Sequence, residues 1–145
     1  MLGDAGRYRI NHNMHEHRVK HLEMIQAIIS RMAGNSFLMK GWTVTLVAAF
    51  FALAAKDANQ KYVVVALLPA LCFWGLDAFY LRQERLFRAL YNASIPEDAV
   101  VPLFSMDTSI SKANVSSWIA TLFSTVVVSY HLPIVLAIVT ALFLL

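Results

Sequence analysis

Three stretches of this chain are long and apolar enough to cover the hydrocarbon core of a bilayer, and they limit the fold more than any other feature. They run from Phe37 to Ala55, from Tyr62 to about Leu81, and from Ser124 to Leu145. At 1.5 Å per residue, roughly 20 helical residues match a core about 30 Å thick. The residues between and before them are polar or basic, so the apolar content is segregated rather than interleaved. Hydrophobic residues make up 59% of the chain and charged residues only 14%, against about 25% charged in soluble domains. That leaves too little polar surface to coat a water-soluble globule. The pattern predicts an all-α membrane protein with three transmembrane helices in a single membrane domain spanning residues 1–145.

The flanking segments fill in the arrangement. Residues 14–33 read as an amphipathic helix ahead of the first span, with Leu22, Ile25, Ile29 and Met32 on one stripe. The segment is too charged to cross. About 36 mostly polar residues precede the first span, far more than a signal peptide's charged leader, so span 37–55 is expected to be retained. Residues 56–61 form a short polar loop that returns the chain antiparallel. Span 62–81 contains Pro69, which lipid-embedded helices tolerate, and its helix is expected to continue to Tyr91. Phe79, Leu86 and Leu90 then form a second apolar stripe. Pairing it with the stripe of the first helix gives a two-helix stalk. Residues 92–111, punctuated by Pro96 and Pro102 and carrying Glu97, Asp98 and Asp107, read as a linker.

Residues 112–145 allow two short spans hinged at His131-Leu132-Pro133, which would make four. The second would have about 13 residues, too few to cross. An interfacial segment over 112–123, with Val115, Trp118, Ile119 and Leu122 on its apolar face, followed by one span over 124–145, fits better. Arg7, Arg9, Arg18, Lys20, Arg31 and Lys40 lie before or at the start of the first span. Arg82, Arg85, Arg88 and Lys112 lie between the second and third, and only Lys56 and Lys61 lie in the first loop. The positive-inside rule then places the N-terminus in the cytoplasm and the C-terminus at the outer side. The same distribution explains the net charge of +3 as a topology signal and gives no reason to invoke nucleic acid.

Few side chains could carry chemistry. Asp77 sits near the cytoplasmic end of the second span, and an unpaired carboxylate there is costly. Lys40, at the start of the first span, is its natural ion-pair partner. His131 in the third span reads as an interhelical hydrogen-bonding group or a pore-facing one, and the spacing puts it on the opposite half of the bilayer from Asp77. His17 and His21 are one helical turn apart, but Arg18 and Lys20 beside them would repel a metal, so a solvated basic face is expected there. Phe73, Trp74, Phe79 and Tyr80 read as lipid-facing or interfacial side chains rather than a ligand cage. Ala48 with Ala52, and Ala66 with Ala70, mark faces where helices can approach closely. Cys72 has no partner for an intrachain disulfide. No nucleophile–base set, carboxylate pair or phosphate loop is present. No enzyme activity, cofactor or metal is expected.

The run Ile25-Gln26-Ala27-Ile28-Ile29-Ser30-Arg31-Met32-Ala33-Gly34-Asn35-Ser36-Phe37-Leu38 leads a helix directly into a span. With Trp74-Gly75-Leu76-Asp77-Ala78-Phe79-Tyr80-Leu81-Arg82-Gln83-Glu84-Arg85, it resembles small bacterial membrane proteins of the RipA-like type and SLATT-type effectors. The resemblance covers residues 15–92, and the third span is extra relative to a two-span effector. It implies a bacterial inner-membrane protein that is a homo-oligomer, an octameric ring in the RipA-like case. It also allows a pore-forming or membrane-perturbing effector. The other expectation is a non-conducting scaffold whose cytoplasmic stalk recruits a protein partner, through Leu22, Ile25 and Ile29, or organises lipid, while Leu22, Ile25, Ile29, Met32, Leu86 and Leu90 are expected to pack the stalk or an oligomer.

Overall fold

The computed structural model describes residues 4–57, 59–96 and 99–144, with side chains from His12 onward. Glu97 and Asp98 of the expected linker, and Leu145 at the end of the expected third span, lie outside the described residues. Among the described residues every regular element is helical. The elements are α1 (Asp4–Asp57), α2 (Lys61–Ser94), a 3₁₀ helix (Ser109–Asn114), α3 (Trp118–Leu122) and α4 (Thr125–Leu144). Three of them, α1, α2 and α4, are long and apolar enough to cross a membrane.

α1 is one helix, because nothing between residues 33 and 37 breaks it. Gly34 and Asn35 are weak helix formers, but neither proline nor an adverse cap interrupts the ladder. α2 starts where Asn59 Oδ1 accepts the Lys61 backbone N–H at 3.1 Å, an Asx-type cap on an otherwise orphaned donor. It carries Pro69 without ending and runs to Ser94, three residues past the expected Tyr91. α4 contains Pro133 and is likewise continuous, so no hinge at residues 131–133 divides it. Among the described residues three helices, and not four, are long and apolar enough to cross a membrane.

The chain forms two compact units. One comprises α1 up to Arg31 with Glu84–Val115, and the other Met32–Gln83 with Ser116–Leu145.

In the first unit, Ile25, Ile29 and Leu90 form a buried cluster, with Phe87, Tyr91, Val101 and Met106 packed against it. Leu86 is also buried, whereas Leu22 and Met32 are half-buried. Phe79, which belongs to the second unit, is exposed and so departs from the expected stripe. The inward face of α2 at that level is occupied by Asp77 and Ala78, and the polar Asp77 must face protein, which turns Phe79 outward. The expected linker is packed structure rather than a tether. Val101 and Met106 cover the apolar cluster, and Phe104 turns with a positive φ of 63°. Its ring lies 6.0 Å from both the His17 and the His21 rings. A turn closes there through Ser105 N–H to the Pro102 carbonyl at 3.1 Å. His21 is buried, and its Nε2–H donates to the Ser105 carbonyl at 2.9 Å. This corrects the expected solvated face at His21 alone, since His17 is exposed as expected: the folded-over segment brings a carbonyl that needs a donor, and His21 supplies it.

Further along this segment, Asp107 accepts the Ser109 backbone N–H at 2.8 Å and its hydroxyl at 2.7 Å. The Ser109 hydroxyl, and then its backbone N–H, hold the exposed Asp107 carboxyl below its ordinary value of 3.8, with Lys112 adding a smaller pull.

In the second unit, Val47, Ala54, Val63, Ala66, Ala70 and Ile138 form the core. Buried positions are spaced by seven residues, at Ser36 and Thr43 along α1 and at Val63, Ala70 and Asp77 along α2, the spacing of a supercoiled helix seam. Small side chains at 36, 43, 66, 70 and 78 suit close helix approach. Ala66 and Ala70 lie on this seam as expected from their spacing. Ala48 and Ala52 do not, and are exposed, because the seam of α1 is set by Thr43, Val47 and Ala54.

Two measurements follow from this packing. Ile25→Ala and Leu90→Ala should each destabilise the first unit by about 2–5 kcal/mol, read as faster hydrogen exchange at residues 21–29, while the exposed Met14→Ala leaves exchange unchanged. For Asp107, a depressed carboxyl stabilises its turn above the ordinary value and loses that contribution as pH falls through the folded value. Its side-chain NMR titration should therefore have a midpoint below 3.8, and Ser109→Ala should move the midpoint back up.

Candidate functional site

The second unit holds a cluster of ionisable side chains built from three helices. α1 contributes Ser36 and Lys40, one turn apart on the same face. α2 contributes Asp77 and α4 contributes His131. Asp77 is fully buried and His131 is 1% exposed. The Lys40 ammonium lies 2.6 Å from each carboxylate oxygen and also donates to Ser36 Oγ at 3.0 Å. Ser36 in turn donates to Asp77 Oδ1 at 2.5 Å. His131 Nε2–H donates to Asp77 Oδ2 at 3.1 Å. The carboxylate therefore receives three side-chain donors, which compensates the burial of a charge that would otherwise be prohibitive in hydrocarbon.

The rings around the cluster orient it. The Tyr130 hydroxyl donates to the Lys40 carbonyl at 3.0 Å, and the Lys40 ammonium sits 5.8 Å from the Tyr130 ring centre, within cation–π range. His131 stacks on Trp74, with centroids 5.8 Å apart and planes at 8°, and meets Tyr130 edge-on at 5.2 Å. Trp74 is half-buried. Its indole N–H donates to the Leu122 carbonyl at 3.0 Å, a partner that a buried indole requires.

That bond is one of three that hold residues 116–122 against α2. Trp118 Nε1–H donates to the Gly75 carbonyl at 3.1 Å, and Arg82 Nε–H donates to the Ser116 carbonyl at 3.1 Å. A Cβ at Gly75 would lie 3.6 Å from the Trp118 ring, an ordinary van der Waals contact. Over 112–123 the structure has a 3₁₀ turn, a break and the short α3, whose Ser117 cap accepts the Ala120 N–H at 3.2 Å. A continuous amphipathic helix does not form. Ile119 is exposed, whereas the polar Thr121 is buried.

The structure thus joins Lys40 to Asp77 and adds His131 and Ser36. The placement of His131 opposite Asp77 was an error of depth. α4 begins at Thr125, so His131 lies about 9 Å into it, and Asp77 lies about 6 Å from the Leu81 end of the second span. Antiparallel helices bring both to one level. Ser36 was missed; its position four residues before Lys40, on the face facing the second span, was the available signal. Of the packing residues, Ile25, Ile29 and Leu90 form one cluster and Leu86 is buried elsewhere along α2, while Leu22 and Met32 are half-buried.

The first unit has a second feature, an open groove of about 810 Å³. Met14, Val19, Leu22, Ile95 and Leu103 line it, together with His15, Arg18 and His21. Arg18 spans it by donating to the Ile95 carbonyl at 3.1 Å. Among the described residues no group of three His, Cys, Asp or Glu side chains is placed to hold a metal ion. No family model, curated protein or solved structure matches this chain.

The ion cluster makes an asymmetric prediction. Asp77→Leu leaves the Lys40 ammonium and two further donors without their acceptor, and should cost about 3–5 kcal/mol. Lys40→Met combined with Asp77→Leu should recover part of that loss. Thermal melting in detergent micelles measures both, and a double variant no more stable than Asp77→Leu would contradict the pairing.

Proposed function

We propose that this chain is a homo-oligomeric scaffold of the bacterial inner membrane, with its N-terminus cytoplasmic, that does not itself conduct ions. The observation that carries this reading is the closure of the intramembrane ionisable groups on one another. Lys40, Asp77 and His131 bond within a single chain, and Asp77 and His131 are both buried there. A conducting path needs polar groups that face water. Thr45 and Ser129 are exposed, but their hydroxyls return to carbonyls of their own helices, at Gly41 and Val126.

Other features agree with a membrane scaffold. Ten of the twelve Lys and Arg residues lie on the flanks that the positive-inside rule assigns to the cytoplasm, and only Lys56 and Lys61 lie in the opposite loop. The apolar side chains exposed along the spans, such as Phe37, Leu68 and Leu136, suit lipid or neighbouring copies. The resemblance to RipA-like proteins supports an oligomer. A partner-recruiting surface cannot be Ile25 or Ile29, which are buried in their own unit. The groove lined by Met14, Val19 and Leu22 is an accessible apolar surface of that unit. The absence of a nucleophile–base set or a cofactor-binding motif in the sequence supports a role without catalysis.

The competing reading is the pore-forming effector that the SLATT resemblance allows, and one experiment separates them. Purified protein in liposomes should remain impermeable to ions, and Met14→Glu with Leu22→Glu should abolish capture of a cytoplasmic partner without changing assembly. Ion flux that changes on Asp77→Ala or His131→Ala would overturn the scaffold reading.

A further inference from the structure

We propose that the groove of the first unit receives an amphipathic helix of a partner protein, and that one carboxylate of that helix seats on Arg18. This rests on the reading of the groove as a partner-recruiting surface, and adds the partner's chemistry. Arg18 is half-buried and is the only side chain with a fixed charge that lines the groove. Its Nη2–H donates to the Ile95 carbonyl at 3.1 Å, which holds the guanidinium from α1 across to the opposite wall. The described carboxylates of the unit are all engaged elsewhere. Glu16 lies 3.6 Å from His12, and Glu23 lies 3.5 Å from Lys20. Glu84 pairs with Arg88 at 2.7 Å, and Asp107 holds Ser109. None of these lines the groove. Arg18 is thus a cation fixed in place between apolar walls with no anion on it among the described residues. The remaining donors of its planar fork match a carboxylate.

The walls decide what carries that acid. Met14, Val19 and Leu22 come from α1, and Ile95, Val101 and Leu103 come from the segment after α2. From Met14 to Leu22 the α1 face runs for about 12 Å, or two helical turns. The groove is open along that length. A small ligand needs a site that encloses most of its surface. An open trough with apolar side chains on both walls is instead the form that receives a helix, which fills it with residues at three- and four-residue steps. The sequence of the wall also fixes where the acid stands. Arg18 lies one turn after Met14 and one turn before Leu22, so the matching helix carries its carboxylate between apolar residues one turn away on either side. A basic residue at that position is rejected by Arg18.

The test uses the full chain in phosphatidylcholine nanodiscs near neutral pH, with three fluorescent, stapled helical peptides as probes. Each has leucines one turn before and one turn after a central Glu, Gln or Lys. By fluorescence anisotropy, the Glu peptide should bind about tenfold tighter than the Gln peptide, and the Lys peptide most weakly. Arg18→Gln should abolish the difference between the Glu and Gln peptides. Arg18→Glu should reverse the order in favour of Lys. Unchanged hydrogen exchange at residues 21–29 shows that a variant keeps its fold, and if neither variant folds, the native chain's ranking of the three peptides decides. Three results would overturn the proposal: no binding of the Glu peptide, equal binding of the Glu and Gln peptides to the native chain, or a Glu preference that persists in Arg18→Gln. Equal binding is what an acid of this chain already seated on Arg18 would produce. Octanoate displacing the Glu peptide as effectively as unlabelled peptide does would assign the groove to a free amphiphile and also overturn it. The scaffold reading is judged separately, by ion flux and by partner capture in the Met14→Glu, Leu22→Glu chain.

Discussion

The arrangement of the membrane-spanning unit depends on how the Asp77 carboxylate is satisfied. A lone carboxylate in hydrocarbon would force its helix out of the bilayer or lose its charge. Three donors prevent that, and each comes from a place that the helices must reach. Ser36 and Lys40 fix the rotation of α1, since both have to face the second span. His131 fixes the rotation of α4. Once those faces are chosen, the seven-residue spacing of buried positions carries the contact away from the cluster, where Ala66 and Ala70 allow close approach and Ile138 closes the third side. Polar chemistry therefore sets the register, and apolar packing extends it. This division of labour suits a lipid environment, where apolar side chains have little preference between a neighbouring helix and an acyl chain.

The same logic explains what was legible in the sequence. The three spans are written in hydropathy, because each needs an uninterrupted apolar run. The Lys40–Asp77 contact could be anticipated because two opposite charges at similar depth have few other solutions. The apolar pairing of Ile25 and Ile29 with Leu90 was also visible as periodicity. What escaped was anything that depends on long-range return of the chain. His21 looked solvated because its partner is a backbone carbonyl 84 residues later, and carbonyls leave no mark in a sequence. The bond from Trp74 to the Leu122 carbonyl was hidden for the same reason. Residues 92–111 looked like a tether because prolines and acidic residues punctuate them, yet Val101 and Met106 supply part of a core. A few well-placed apolar residues in a proline-rich segment outweigh its loop-like composition.

Phe104 shows how such a segment becomes committed. A bulky residue in the left-handed region costs roughly 1–2 kcal/mol, and it is adopted here because the turn delivers two groups at once. The ring reaches His17 and His21, and the adjacent Ser105 carbonyl reaches His21 Nε2. Neither contact alone has to offset the strain, since both follow from one backbone conformation.

The distribution of the Asp77 cluster over three helices has a consequence for how the chain enters the bilayer. α1 and α2 bring Lys40, Ser36 and Asp77, so a hairpin of the first two spans already carries a nearly neutral, internally bonded pair and can partition into lipid as a unit. α4 is synthesised later and brings an uncharged imidazole. Its polar side chain finds a waiting acceptor, and its own partitioning is not burdened by a formal charge. Had the carboxylate been on the last span, the first would have had to hold an unmatched ammonium in lipid while the remaining chain was made. The order of the cluster along the polypeptide is therefore compatible with insertion from the N-terminus onward, with each helix arriving to a site that the preceding ones have prepared.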